Sequence, residues 1–141
     1  MSAADFLDSN VLIYAYDSLS PEKQSIAKEF VRRALAGDGV ISSQVLAELS
    51  AVLLHRLSPP APAKSVKALL DVLSPIKLIA PDADLIRRAV EAHEAYHVHF
   101  CDGMIIAAAE RGGCARLLSE VLNPGQAYFG VKVANPFAGL A

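Results

Sequence analysis

The fold is decided close to the start of the chain, by the stretch Phe6-Leu7-Asp8-Ser9-Asn10-Val11-Leu12-Ile13-Tyr14. Asp5 to Asp8 is typical of the end of a short strand, whereas the apolar residues from Val11 onwards follow helical spacing. A strand is therefore predicted to pass into a helix near Ser9. Further along, the apolar pattern switches repeatedly between short strand-like runs and longer helical runs. This alternation predicts an α/β fold whose mostly parallel sheet is covered by helices.

The later elements continue the same alternation. Ser20-Pro21-Glu22 carries the start signals of a helix, which we expect to run to Gly37. Three prolines within Ser58–Pro62 predict a stiff loop, because they fix φ and remove hydrogen-bond donors. The remaining expected elements are strands at 40–42, 76–79, 115–118 and 131–133, and helices at 44–57, 66–73, from Asp82, and at 102–111. The helix from Asp82 is predicted to share one apolar face among Leu85, Ile86, Ala89, Val90 and His93.

Length and composition predict one compact domain over residues 1–141, since two domains would barely fit. The net charge of −2 argues against binding nucleic acid by bulk positive charge alone. No apolar run approaches the roughly 20 residues that a membrane span needs, and no secretory signal is recognisable, so we expect a cytoplasmic protein. Cys101 and Cys114 form no C-x-x-C motif and are expected to be buried thiols.

Three carboxylates recur at the ends of predicted elements. Asp8 ends the first strand, Glu48 lies in the helix after the second strand, and Asp102 opens the last long helix, each in apolar surroundings. In a parallel sheet the turns that follow the strands meet at one edge, so we expect these acids to converge there. An all-oxygen cluster suits Mg²⁺, which in turn makes phosphodiester hydrolysis plausible chemistry.

Structural roles for the same acids stay open at this point. Asp8 is suited to capping the helix that follows it, and Asp102 is suited to interacting with the dipole of its own helix. Glu48 has no comparable structural explanation. From the pattern alone, the metal cluster is the less common of the two readings, because structural carboxylates are frequent.

Several motifs follow one another along the chain: the opening stretch 6–14, Val45-Leu46-Ala47-Glu48, Phe100–Ala109, Leu117-Leu118-Ser119-Glu120, and the closing Gly125-Gln126 and Asn135-Pro136-Phe137. In this order they resemble the motifs of PIN-domain ribonucleases, and in particular those of the toxin half of bacterial VapBC-type toxin–antitoxin pairs. The resemblance covers nearly the whole chain. It implies a PIN-like three-layer α/β/α fold and Mg²⁺- or Mn²⁺-dependent endonucleolytic cleavage of RNA.

The resemblance also implies the site and the partners. The metal-binding and catalytic acids carry over onto Asp8, Glu48 and Asp102, with Asp8 and Asp102 most direct and Glu48 direct or through water. The family's polar residue beside the first acid matches Ser9 or Asn10. The implied partners are an RNA substrate, a small antitoxin that blocks the cleft, and a second copy of the chain in a homodimer.

One position departs from the family's pattern. The family often has an acid two places after the Ser or Thr of the late strand, and after Ser119 that place holds Val121. Glu120 would either substitute through a water or be a surface residue. The site would then work with Glu120 in this role, or with three acids and a second metal that binds weakly or not at all. The alternative function is a non-catalytic RNA-binding or regulatory PIN-fold protein, for which Val121 is the support in the sequence.

A second motif competes with this interpretation. His93-Glu94-Ala95-Tyr96-His97 matches H-E-x-x-H, in which two histidines one helical turn apart bind zinc and the glutamate activates water. The metzincin extension is missing, because Phe100 and Gly103 stand where it needs Gly and His. We interpret the match as coincidental.

No phosphate-binding P-loop motif occurs, and the segment from Leu49 to Leu70 is locally basic, with no Asp or Glu.

Overall fold

The computed structural model describes residues 4–140 of the chain. Its strands are β1 (Asp5–Leu7), β2 (Gly39–Ser42), β3 (Lys77–Ile79), β4 (Arg116–Leu118), β5 (Ala127–Tyr128) and β6 (Val131–Ala134). Its helices are α1 (Ser9–Tyr16), α2 (Pro21–Arg33), α3 (Ser43–His55), α4 (Ala63–Leu73), α5 (Ala83–Tyr96) and α6 (Phe100–Arg111). The strands form one sheet in the order β3-β2-β1-β4-β6-β5, parallel except between β5 and β6. The predicted α/β class is confirmed.

The path of the chain through the sheet reverses once. From β1 it steps outward to β2 and β3, and it then returns to place β4 on the other side of β1. Connections between parallel strands are right-handed, so helices α1 to α4 cover one face of the sheet and α5 and α6 cover the other. The result is the expected three-layer α/β/α arrangement. The carboxyl ends of β1 and β4 flank the point where the direction changes.

The central strands are buried on both faces, which explains why they appear in the sequence as continuous apolar runs. In the interior of β1, β2 and β4 the side chains are at most 1% exposed: Phe6, Leu7, Val40, Ile41, Leu117 and Leu118. Helix α6 is also buried along most of its length, since Gly103 and every residue from Ile105 to Ala109 lie in the interior. The sheet and α6 together form the centre of the core.

Some predicted boundaries differ from the structure. The helix expected to run from Ser20 to Gly37 stops being α-helical at Arg33 and continues as a π-helical turn, Ala34–Asp38. Gly37 has φ of +108°, a conformation that favours glycine, and it turns the chain directly into β2. Strand β5 was not predicted, because two residues are too few to show a period.

The predicted apolar face of α5 is wrong in part. Leu85, Ala89 and Ala92 are buried, whereas Ile86 is 44% exposed, Val90 is 52% exposed and His93 is also exposed. The apolar residues of this helix form two adjacent stripes. Positions 85, 89 and 92, which are four and three residues apart, form the stripe that packs against α6. The sequence pattern contains both stripes and cannot say which one is covered.

The two cysteines differ in their surroundings. Cys114 is buried, as expected, and desolvation raises the pKa of its thiol to about 11. Cys101 is exposed, so its predicted burial is wrong; it lies in the first turn of α6, on the solvent side. No helix within residues 4–140 is both long enough and apolar enough to cross a membrane.

Helices α5 and α6 pack closely because Gly103 has no side chain. A Cβ atom at this position would lie 2.6 Å from the carbonyl oxygen of Ala89, which is a backbone atom that cannot move without shifting α5. We expect Gly103→Ala to lower the free energy of unfolding by about 1–3 kcal/mol, although alanine is the better helix former. Thermal and denaturant unfolding measure this, with Cys101→Ala on the exposed side of the same helix as the control. A Gly103→Ala protein as stable as the wild type would contradict the close approach.

Candidate functional site

A cleft of about 420 Å³ lies where helices α1, α3 and α6 begin, beside the carboxyl ends of the central strands. Asp8, Glu48 and Asp102 all line this cleft. It occupies the point where the strand order reverses, which is the usual place for a ligand in an open α/β sheet. The sheet therefore brings the three acids predicted from the sequence, which are up to 94 residues apart, to one surface.

Asp8 is the most buried of the three acids, with 6% of its surface exposed. It caps α1, because its Oδ1 accepts a hydrogen bond from the backbone N–H of Ser9 at 2.8 Å, and its Oδ2 accepts one from the hydroxyl of Ser119 at 2.9 Å. The pKa of Asp8 is raised to about 6, chiefly by burial and further by the negative charges of Glu48 and Asp102, while the hydrogen bonds from Ser9 and Ser119 act in the opposite direction. The capping role and a place in the cleft thus coexist in one side chain.

Glu48 is held from two sides. Its Oε2 accepts a hydrogen bond from the hydroxyl of Ser9 at 2.9 Å, and its Oε1 accepts one from Nε2 of Gln44 at 2.9 Å. The same Gln44 nitrogen donates to the carbonyl oxygen of Cys101 at 3.1 Å, so it connects α3 to the first turn of α6. Sequence reasoning missed Gln44, although its spacing of four residues from Glu48 on a helix was available as a signal.

Asp102 is the least constrained acid of the cleft. It lies in the first turn of α6, and no hydrogen bond reaches its carboxylate from the described part of the chain. Partial burial raises its pKa, the nearby His99 lowers it, and the charge of Glu48 raises it. An acid with free oxygen lone pairs, close to two other carboxylates, is suited to binding a cation.

Ser119 connects the end of β4 to the cleft. Its buried hydroxyl accepts hydrogen bonds from the backbone N–H groups of Val121 at 3.1 Å and Leu122 at 3.4 Å, and it donates to Asp8. Nδ2 of Asn10 also approaches it at 3.5 Å, while Oδ1 of Asn10 accepts from the backbone N–H of Glu120 at 3.2 Å. Ser119 and Asn10 therefore fix the loop after β4 against the first turn of α1.

Glu120 is engaged away from the acids. Its carboxylate accepts a hydrogen bond from the hydroxyl of Tyr14 at 2.7 Å and forms an ion pair with Lys23 at 2.6 Å. Glu120 does not line the cleft, whereas Val121 does and is 70% exposed. The position at which the resemblance expects a fourth acid thus contributes an apolar side chain to the rim.

The residues present fit a hard divalent cation, although they are not gathered into a finished ligand set. Among residues 4–140, no three His, Cys, Asp or Glu side chains are grouped closely enough to hold a metal ion as they stand. The donors of the cleft are carboxylate oxygens, the ligands that Mg²⁺ and Mn²⁺ prefer. Burial first, and the charges of Glu48 and Asp102 in addition, disfavour the ionised form of Asp8, and a positive charge in the cleft would offset both effects.

The histidines of the H-E-x-x-H match lie outside the cleft. Nδ1 of His93 is 2.7 Å from the carbonyl oxygen of Val98, and His97 ends α5 with φ of +58°. His97 therefore lies beyond the regular helix on which the zinc motif depends. Both residues have structural positions at the carboxyl end of α5.

Comparison with known proteins gives a family and a fold. A family model described as "PIN domain" matches residues 6–120, a range that contains all three acids of the cleft. No match was found among curated proteins.

Similar solved structures include three toxin or toxin–antitoxin structures. VapC20 of Mycobacterium tuberculosis, described as a toxin that cleaves the sarcin-ricin loop, is 21% identical, with a TM-score of 0.62 over 81% of this chain and 87% of that chain. A toxin–antitoxin complex from Klebsiella pneumoniae is 19% identical, with a TM-score of 0.68 over 94% and 98%. DNA-bound VapBC from Salmonella typhimurium is 18% identical, with a TM-score of 0.67 over 95% and 98%. At these identities the likeness establishes the fold, and the family match gives the assignment: the chain belongs to the PIN-domain family.

Proposed function

We propose that this chain is a divalent-metal-dependent endoribonuclease and that it acts as the toxin of a VapBC-type toxin–antitoxin pair. The observation that carries the proposal is the convergence of Asp8, Glu48 and Asp102 on one cleft at the reversal point of the sheet. Membership of the PIN-domain family supports nuclease chemistry at these acids. The described toxin activity of the M. tuberculosis neighbour supports RNA as the substrate.

In this proposal Asp8 and Asp102 hold Mg²⁺ or Mn²⁺ directly, and Glu48 holds it directly or through a water. When bound, the ion supplies Lewis-acid activation of water and offsets negative charge on the phosphodiester. The chain's own residues keep the ligands in place. Ser119 and the N–H of Ser9 orient the two oxygens of Asp8.

The same hydrogen-bond network limits the movement of Glu48. The Ser9 hydroxyl and the Gln44 amide each hold one of its oxygens, so small rotations of this side chain are opposed from both sides. Each carboxylate oxygen keeps a further lone pair for a cation or a water, since one hydrogen bond does not exhaust its acceptor capacity. Ser9, Asn10, Gln44 and Ser119 are therefore positioning residues.

The partners follow from the same comparisons. Solved neighbours that are toxin–antitoxin complexes support an antitoxin that binds this chain. A toxin that cleaves RNA needs access to cellular RNA, so we propose a cytoplasmic location. We also propose a single-domain organisation over residues 1–141.

The first test is metal-dependent cleavage. Antitoxin-free protein with Mn²⁺ or Mg²⁺ is expected to cut a mixed-sequence RNA, to stop in EDTA, and to lose at least about a hundredfold in rate as Asp102→Asn, because a ligand charge is removed without changing shape. Asp71→Asn, an exposed acid on α4, is the matched control and should cut normally. Gel assays of labelled RNA measure the rates.

The alternative function makes the opposite prediction. Val121 at the rim is the observation that favours a non-catalytic RNA-binding or regulatory protein. RNA binding by folded protein without any metal-dependent cutting, and binding that survives Asp8→Asn, would support that alternative. Cutting that persists in Asp102→Asn would contradict the three-acid site.

The raised pKa of Asp8 predicts how stability depends on pH in the metal-free protein. The ionised form is less favourable in the folded state, so the free energy of unfolding falls as pH rises from about 4 through about 6. Asn does not titrate. In EDTA, the free energy of unfolding of the wild type relative to that of Asp8→Asn should therefore fall between pH 4 and pH 7.5, by at most about 3 kcal/mol.

Denaturant unfolding of both proteins at the two pH values measures this difference. Added Mn²⁺ at pH 7.5 is expected to stabilise the wild type more than Asp8→Asn, because binding to the folded state alone shifts the unfolding equilibrium. A stability difference that does not change with pH would contradict the burial and charge repulsion assigned to Asp8.

We also propose that the chain pairs with itself, as the resemblance to VapBC toxins implies. The exposed apolar stripe of α5 at Ile86 and Val90 supports such an interface. Light scattering after gel filtration should give twice the chain mass for the wild type and half that value for Val90→Glu. Val72→Glu on α4, at a similarly exposed valine, is the control and should remain dimeric. A dimeric Val90→Glu protein would exclude this stripe as the interface.

A further inference from the structure

Arg56 differs from the other residues that line the acidic cleft. Within the part of the chain that the structure describes, it is the only basic side chain on the cleft wall, which otherwise carries three acids, polar residues and apolar residues. It is the C-cap residue directly after α3, and it is exposed to solvent. An arginine at the border of a negatively charged cleft is a candidate for contact with an anion.

The charge of Arg56 is also not used within the fold. Five of the seven arginines form ion pairs: Arg32 and Arg33 with Glu29, Arg88 with Glu91 and Glu110, Arg111 with Asp82, and Arg116 with Asp5. Between residues 4 and 140, neither Arg56 nor Arg87 has a carboxylate within ion-pair distance. Arg56 is therefore available to an anion from outside the chain.

The side chains that α3 contributes to the cleft change from acidic to basic along the helix, which Arg56 caps. Glu48 and Arg56 are eight residues apart on one side of the helix, which is about 12 Å along its axis. Val52 lies between them along α3, and the wall also carries the apolar side chains of Ile13 from α1 and Ile105 from α6. Along α3 the cleft thus passes from a carboxylate through an apolar side chain to a guanidinium.

This order matches the chemistry of a nucleic-acid strand. A strand carries one negative charge per nucleotide, and the phosphates are separated by sugars and bases that have apolar surface. The three acids repel any phosphate that no cation compensates, whereas a guanidinium binds phosphate oxygens with two parallel hydrogen bonds. A strand whose reacting phosphate lies at the acids would bring a neighbouring phosphate towards Arg56.

We infer that Arg56 binds a backbone phosphate of the RNA strand that flanks the cleaved bond, and that it positions the substrate in the cleft. The inference rests on the proposed function, since it names the substrate contact of the same site. It assigns the contact to the backbone, so it adds affinity for any sequence and does not select bases.

The kinetic test compares Arg56→Gln with Arg87→Gln, which removes an equally unpaired exposed arginine from α5. With labelled RNA and Mn²⁺, Arg56→Gln is expected to raise KM roughly tenfold with kcat changed less than about threefold, because a charged hydrogen bond present in both ground and transition states is lost. The slope of log(kcat/KM) against log[salt] should fall by about one. Arg87→Gln should match the wild type in both respects.

A second measurement keeps the inference testable even if the protein does not cleave. Fluorescence anisotropy of the same RNA is measured with Asp102→Asn and with the Asp102→Asn, Arg56→Gln double variant. A roughly tenfold weaker Kd and a shallower salt slope in the double variant would support the contact.

The outcomes separate the two proposals. Absence of metal-dependent cutting by the wild type would overturn the proposed nuclease function, and the binding data would then decide the role of Arg56 alone. Equal KM and equal Kd with and without Arg56, or no RNA binding by either protein, would overturn the inference. An effect confined to kcat would also overturn it, because a substrate-positioning contact of this kind acts on binding.

Discussion

The carboxylate of Asp8, buried at the junction between β1 and α1, is the constraint on which the rest of the site depends. Its two oxygens are held by the N–H of Ser9 and the hydroxyl of Ser119, so it connects the first strand–helix turn to the loop after β4. Burial and two neighbouring acids raise its pKa to about 6. The fold thus keeps a partly compensated negative charge at the point where the sheet changes direction, and that charge is best balanced by a cation.

The polar groups around Asp8 form one connected network of hydrogen bonds. Ser9 holds Asp8 through its backbone and Glu48 through its hydroxyl, and Gln44 connects Glu48 to α6, the helix that carries Asp102. The side chain of Val121, at the rim of the cleft, takes no part in this network, although its backbone N–H donates to Ser119.

Much of this architecture follows from local patterns. The turn near Ser9, the helix start at Pro21, the proline loop and the apolar runs of the central strands are each set by a few adjacent residues. The three acids were recognisable because an ionisable group interrupts an apolar run. Gln44 was not, because its spacing of four residues from Glu48 indicates that the two side chains can meet on one helix but not that they border a cleft. The sequence pattern placed the exposed Ile86 and Val90 on the same apolar face as Leu85 and Ala89, because two neighbouring stripes of α5 are apolar.

The sequence by itself determined the order of elements, the fold class and the identity of the acids, because these depend on periodicity and on residue type. The tertiary structure alone decided which stripe of α5 is covered, that Glu120 is taken up by Tyr14 and Lys23, and that Arg56 shares a cleft with Glu48 and Asp102. These features depend on contacts between residues distant along the chain. Such contacts are fixed only when the sheet closes and its helices pack, so no local pattern contains them.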